Sequence, residues 1–369
     1  MIPTFEPEIG EDDIEAVVAA LRRGEISGSF GDTISLFEQE FAAYSGCAHG
    51  VAVTSGTTAL HLAVAALELP EGSEILISAS TNIATALACY HNGCVAVPVD
   101  SEARTWNLDL DLIESLITPK TRAIIPVHLF GHPVAMDRLM EIAGRHNLMV
   151  IEDAAEAHGA TWKGSKAGSF GHMSCFSFYA NKIISTGEGG MVTTNNAGLA
   201  SKLRLLRNLA FGKPRFFHQI AGYQFRMTGL QAALGRSQFR KIDQFIAKKR
   251  TVAAFYNQAL VGIPGLQLPL ELPGAFNVYW MYALTVDPAG GIQRDALCAH
   301  LHAHGVDTRT FFCPMNLQPF LREQEGARVL DCPVAERLWE QGLYLPSACN
   351  LARSTIEAIA DLIRQAPRG

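Results

Sequence analysis

The chain has 369 residues, a formal net charge of −6, 48% hydrophobic residues and 18% charged ones. That length exceeds one simple core, the composition belongs to a core-rich globular chain rather than a disordered one, and the acidic balance leaves no basic footprint for nucleic acid. No apolar run reaches the length of a membrane span, the acidic start MIPTFEPEIGEDD is unlike a basic-headed secretion signal, and eight cysteines without a CxxC pair suit buried thiols, so the expected compartment is a reducing cytoplasm.

In chain order, residues 11–22 (EDDIEAVVAALR) have the spacing of an amphipathic helix, acidic at its start and basic at its end. Residues 24–32 (GEISGSFGD) form a Gly/Ser loop with one aromatic, Phe30; it reads as a plain connector or as a loop that folds over a ligand. In GVAVTSGTTALHLAVAAL (50–67) a strand, VAVT, passes through a Ser-Gly-Thr-Thr turn into a helix. Glycine there lets backbone approach an anion, and the helix start offers free N–H groups. The turn is either a phosphate cradle or an ordinary strand–helix junction; it is neither a Walker loop nor GxGxxG.

Strands are predicted at 74–78 (EILIS) and 95–100 (VAVPVD), around a helix near 82–90. A helix over 108–117, a strand over 123–131 (AIIPVHLFG) and a helix over 135–147 follow. His128 and His132 flank that strand end, as pocket residues or as ordinary hydrogen-bonded ones. Strands alternating with helices predict βαβ units and a mostly parallel sheet sandwiched by helices.

The stretch 148–194 carries the chemistry. Three short apolar runs, bounded by Gly, Asp or Asn, read as buried strands. The first, LMVIED, ends on Asp153; the second, CFSFYANK, ends on Lys182; the third follows a glycine-rich turn, 187–190. Ligands of open α/β sheets sit at strand ends, so an acid and a lysine reach one candidate site. That pair suits pyridoxal phosphate, whose aldehyde condenses with a lysine and whose ring nitrogen pairs with a carboxylate. The plain alternative is a turn-capping Asp and a solvated Lys.

Beyond Thr194 come a basic helical run (199–209), a loop without period (211–228) and a 33-residue helical stretch from Thr228 to Leu260. GLQLPL, VYWMYALTVD and VDTRTFF read as strands, and 293–304 and 353–365 as helices. The expected division is a large α/β domain over 1–240 and a smaller α+β domain over 241–369. His300 and His304 lie one helical turn apart in HLHAH, but no third ligand accompanies them, so no metal site is expected.

Six segments together carry a resemblance: SGTTALHLA, VHLFGHP, VIEDAAEAHGA, FSFYANKIISTGEGGMV, YQFRMTGLQAALG and VYWMYAL. In this order, over nearly the whole chain, they resemble the DegT/StrS sugar aminotransferases, pyridoxal phosphate enzymes of fold type I. The resemblance implies that Lys182 links the cofactor, Asp153 pairs with its ring nitrogen and Glu156 stands beside its ring hydroxyl. It also implies that Ser177, Gly56 and Thr57 hold its phosphate. Asn82 stands where the family places an aromatic over the ring, and Gln224 stands where an asparagine reaches the phosphate of the partner subunit. Asn316 replaces a histidine near the sugar, and Phe30, Arg226, Trp280 and Arg309 are expected to border the substrate. The implied activity moves an amino group from L-glutamate to a nucleotide-linked 4-keto-6-deoxyhexose, in a homodimer with shared sites.

Four alternatives are weighed. A 3-keto-sugar or an aminocyclitol precursor as acceptor stays within the family. A dehydratase of this fold has histidine at the lysine, which Lys182 opposes. A non-enzymatic regulator predicts a decayed cofactor site, and a nicotinamide oxidoreductase predicts the GxGxxG that is absent.

Overall fold

The computed structural model describes residues 1–28 and 30–368. Its main sheet has seven strands in the order His49–Val53, Gly190–Thr194, Met173–Ser177, Met149–Asp153, Thr121–Ile125, Glu74–Ser78 and Val95–Val99. Gly190–Thr194 runs antiparallel to both neighbours; every other adjacent pair is parallel. Strands covered on both faces need apolar side chains on both sides, and EILIS and VAVPV are buried at every position. Helix Gly56–Ala66 packs across Met149–Asp153, Met173–Ser177 and Gly190–Thr194, while Thr33–Tyr44 covers the edge strand His49–Val53.

A second, all-antiparallel sheet joins Leu266–Gln267, Tyr282–Val286, Gly342–Leu345 and Arg309–Thr310. Its core is shared with helices Ile242–Leu260, Arg294–Ala303 and Arg353–Arg364. Aromatic rings join the two parts: Phe130 lies 4.6 Å from Phe311 and stacks on Trp280 at 6.4 Å between centroids. Gly131, at φ +97°, lets this turn close on the backbone of the second part, because a Cβ there would meet Trp280 N at 2.9 Å.

Three expectations are corrected. The helical stretch 228–260 is two helices, Gly229–Phe239 and Ile242–Leu260. Lys241 breaks the run, and its ammonium is held by Asp12 and Asp13 of the first helix at 2.9 and 2.8 Å. The strand over 123–131 stops at Ile125 because Pro126 brings no N–H to the ladder. Over 108–117 only Ile113–Leu116 is helical: Leu108 bridges Ser101, and the Asp109 carboxylate accepts the Asp111 amide. Helices Thr33–Tyr44 and Pro333–Gln341 and the strand Gly342–Leu345 were not anticipated from the sequence.

His128 and His132 are hydrogen-bonded residues of the frame. His132 Nδ1 lies 2.8 Å from Pro133 O, and Nε2 accepts the Leu272 amide. His128 Nδ1 accepts the Val134 amide, so Nε2–H points at Glu152 Oε2, 3.0 Å away. The Glu152 carboxylate also accepts the amides of Gly168, Phe170 and Gly171 and the Ser174 hydroxyl. It thereby ties the loop before Met173–Ser177 to the strand that carries Asp153. Burial alone would raise its pKa; the His128 and backbone hydrogen bonds outweigh it and leave a net depression.

Replacing Glu152 by Gln removes charge-assisted acceptance from several buried donors. The expected cost is about 2–3 kcal/mol of stability, measured by denaturant unfolding. Because the folded-state pKa is depressed, this stabilisation is complete above the usual carboxylate range. It is lost as pH falls through the folded value, so the variant and the parent should converge in acid.

Candidate active site

Five strand ends of the main sheet converge on one cavity of about 290 Å³. After Val53 come Ser55, Gly56 and Thr57; after Ser78, Thr81 and Asn82; after Ile125, Val127; at the end of Met149–Asp153, Asp153 followed by Glu156; and at the end of Met173–Ser177, Ser177 followed by Tyr179 and Lys182. The second part of the chain closes it with Trp280, Phe312 and Tyr344. Parallel strands put their carboxyl ends on one side of a sheet, so residues far apart in sequence become neighbours.

Backbone proximity shapes one end. Ser55 caps helix Gly56–Ala66, its hydroxyl accepting the Thr58 amide at 3.1 Å. The first-turn amides of Gly56 and Thr57 have no intrahelical acceptor, as at any helix start. A Cβ on Gly56 would sit 2.6 Å from Ser177 Cβ, and one on Gly190 would sit 2.3 Å from Ser55 O. Two glycines therefore let the helix start press against paired residues Ser177 and Gly190, which forms a cradle of amides and a hydroxyl for an anion.

Charge shapes the other end. Asp153 and Glu156 are buried at 5% and 4% exposure. Asp153 Oδ2 accepts the Thr85 hydroxyl at 2.8 Å and Oδ1 the Ala155 amide at 3.2 Å, yet burial still holds its pKa above the ordinary range. Burial pushes Glu156 up to about 7, against the nearby Lys182 charge and the Phe130 amide, which donates to it at 2.8 Å.

Lys182 leaves the Ser177–Gly190 connection through a turn in which its amide donates to Tyr179 O. Its Nζ lies 4.0 Å from Glu156 Oε1 and 3.8 Å from the centre of the Trp280 ring. The Trp280 indole N–H donates to Asn181 O at 2.7 Å, which ties the ring to the residue before the lysine. Burial lowers the Lys182 pKa, and Glu156 and Asp153 only partly restore it. Beneath them His158 is wrapped by Phe41, Phe176 and Phe178. Burial and then the Lys182 charge drive its pKa to about 3, so it stays neutral.

Of the residues singled out in the sequence, the cavity brings together Lys182, Asp153, Glu156, Ser177, Gly56, Thr57, Asn82 and Trp280. Asn82 also starts the helix Ala84–Tyr90, its Oδ1 accepting the Ala84 amide at 3.0 Å. Five others do not line the cavity of their own chain. Phe30 is 68% exposed. Gln224 is exposed, its Oε1 accepting the Arg226 amide at 3.3 Å. Arg226 pairs with Asn208 and Arg309 with Asp307. Asn316 is buried, its amide donating to Glu336 Oε1 at 2.6 Å, which turns it toward helix Pro333–Gln341. Thr85, Thr81, Asn181 and Tyr344 went unremarked in the sequence. The spacing of Thr81 and Thr85, one helical turn apart, was the available signal.

The arrangement fits a small phosphorylated ring with an electrophilic carbon. The anion cradle and a carboxylate stand in one cavity with an amine of lowered pKa, and the buried Asn181 Oδ1 has no partner among the described residues.

The comparisons with known proteins agree. The profile of the DegT/DnrJ/EryC1/StrS aminotransferase family matches residues 7–364. The chain is 41% identical over 340 residues to the GDP-perosamine synthase of Caulobacter vibrioides, covering 91% of each chain. It is 36% identical to the dTDP-3-amino-3,4,6-trideoxy-alpha-D-glucose transaminase of Streptomyces venezuelae, covering 99% of this chain and 96% of that one. The crystal structure of S. venezuelae DesV in complex with a ketimine intermediate superposes with a TM-score of 0.89 at 36% identity, over 96% of this chain and 93% of that one.

The coupling between Lys182 and Glu156 is testable in the protein free of ligand. The Glu156 carboxyl should titrate near 7 by carbon-13 NMR. Lys182→Met removes the cation that lowers it, so the titration should move upward. A carboxyl titrating in the ordinary range in both proteins contradicts the coupling.

Proposed function

The chain belongs to the DegT/DnrJ/EryC1/StrS aminotransferase family of pyridoxal phosphate-dependent enzymes, and on that premise we propose that it transfers the amino group of L-glutamate to C4 of a nucleotide-linked 4-keto-6-deoxyhexose. The observation that carries the chemistry is the amine of Lys182, set between Glu156 and Trp280 in a cavity that also holds Asp153 and the Gly56–Thr57–Ser177 cradle. Identity to a GDP-perosamine synthase supports this acceptor. The 3-amino sugar named for the Streptomyces transaminase supports the second reading, a 3-keto isomer. In this reading residues 1–240 bind the cofactor and residues 241–369 close the cavity.

Pyridoxal phosphate, when bound, supplies an aldehyde that condenses with amines and a ring that accepts the electron pair of a breaking C–H bond. Lys182 is the residue we assign to bind it covalently. Burial lowers its pKa, which makes Nζ easier to deprotonate than an exposed lysine and suits it to take up or return a proton as a general base. Glu156, poised near 7, can hold a proton beside that amine. Asp153 is assigned to the ring nitrogen, Ser177 with the Gly56 and Thr57 amides to the phosphate, and Trp280 to one wall. Asn82 borders the same space.

We also propose a homodimer. Phe216 and Phe217 are 71% and 51% exposed on the irregular segment that carries Gln224. Gln224, outside its own cavity, is assigned to the phosphate of the partner's cofactor. Phe30, Arg226, Arg309 and Asn316 are assigned to the substrate side of the assembled cleft. Among the described residues no helix is long and apolar enough to cross a membrane.

Three outcomes test these assignments. Borohydride treatment of the yellow holoenzyme should fix the cofactor on the peptide containing Lys182. Incubation with glutamate and GDP-4-keto-6-deoxymannose, dTDP-4-keto-6-deoxyglucose or their 3-keto counterparts should give nitrogen at C4 by product NMR; nitrogen at C3 selects the second reading. For the shared site, Lys182→Ala and Gln224→Ala chains, each impaired alone, should regain turnover when allowed to exchange subunits. Mixed dimers without any gain contradict it.

A further inference from the structure

Asp153 ends its strand in a site that burial makes unfavourable for charge, and few groups oppose that tendency. Its backbone neighbours supply one donor, the Ala155 amide. The strongest remaining donor comes from a different segment: Thr85, wholly buried in the first turn of Ala84–Tyr90, gives its hydroxyl to Oδ2 at 2.8 Å. A hydroxyl has one hydrogen to donate. Having given it to Asp153, Thr85 accepts from Thr81, whose hydroxyl lies 3.0 Å away and is itself 1% exposed. The chain thus has a direction, Thr81 to Thr85 to Asp153, that holds only while Asp153 is an acceptor.

We infer that Thr85 is a positioning residue that keeps Asp153 ionised and fixes its carboxylate plane, with Thr81 polarising the bond from behind. The inference rests on the assignment of Asp153 to the cofactor's ring nitrogen. A carboxylate can favour a protonated ring nitrogen only if it keeps its own charge, and in a buried site that charge needs donors. Lys182 and His128 are the cationic or neutral groups that act on Asp153 from neighbouring segments, and Glu156 and Cys175 are the acidic ones. Lys182 is assigned to hold the cofactor, whereas Thr85 is buried with its hydroxyl given to Asp153. Its place on the helix that follows Asn82 puts a residue lining the cavity and the donor to Asp153 on one segment.

The test uses Thr85→Val, which keeps shape and removes the hydroxyl, and Thr85→Ser, which restores it. In ligand-free protein labelled with carbon-13 aspartate, with Asp153→Asn assigning the resonance, the Asp153 titration should move up by about one unit in Thr85→Val and return in Thr85→Ser. Thr81→Val, remote from Asp153, should move it less and in the same direction, and serves if Thr85→Val folds poorly. In the holoenzyme the acid limb of kcat should rise by a similar amount in Thr85→Val, and the serine variant should rescue it. A residue that only tethers the helix would change the melting temperature and leave both titrations alone. An unchanged Asp153 titration in Thr85→Val and in Thr81→Val overturns the inference. Asp153→Asn that stays loaded and fully active overturns instead the assignment of Asp153 on which it rests.

Discussion

An amine and two carboxylates, all largely buried, share one cavity, and they do not collapse into a tight ion pair. Lys182 Nζ stays 4.0 Å from Glu156 because each group is held by something else: the lysine against the Trp280 ring, Glu156 by the Phe130 amide and Asp153 by Thr85 and Ala155. In a low-dielectric site, small differences in these partners decide which group carries the proton. The result is an amine whose pKa burial lowers beside an acid whose pKa burial pushes up to about 7, a combination suited to moving protons at one carbon atom.

The strand Met149–Asp153 shows how the frame serves the site. Successive side chains of a strand point to opposite faces. Glu152 therefore faces inward toward His128 and the Gly168–Gly171 amides, while Asp153 faces the cavity. One acid of the pair is saturated with donors and kept low; the other has few donors and is kept high. Adjacent residues of one type thus differ in role because their surroundings differ.

The cavity also depends on the second part of the chain. Trp280, Phe312 and Tyr344 come from beyond residue 240. Lys249, buried in the helix Ile242–Leu260, donates to Trp280 O at 3.0 Å. The aromatic contacts of Phe130 with Phe311 and Trp280 join this wall to the main sheet. Of these wall residues Tyr344 lies on the second sheet, and Trp280 and Phe312 lie on the segments that flank its strands.

Much of this was legible in the sequence by itself. Short apolar runs bounded by Gly, Asp and Asn located the strands of 148–194, and strand-end geometry brought Asp153 and Lys182 together. Six motifs in order pointed to the family. Patterns of that kind report local periodicity and backbone freedom, which depend on near neighbours alone. Tertiary structure decided what depends on distant ones. Lys241, between the two helices, is paired with Asp12 and Asp13, more than 220 residues earlier in the chain. Asn316 is one more polar loop residue in the sequence until the fold sets the Glu336 carboxylate beside its amide, 20 positions away. Thr85 looks like one more helix residue until the sheet sets Asp153 beside it, since its role lies in a hydrogen bond spanning 68 positions of sequence.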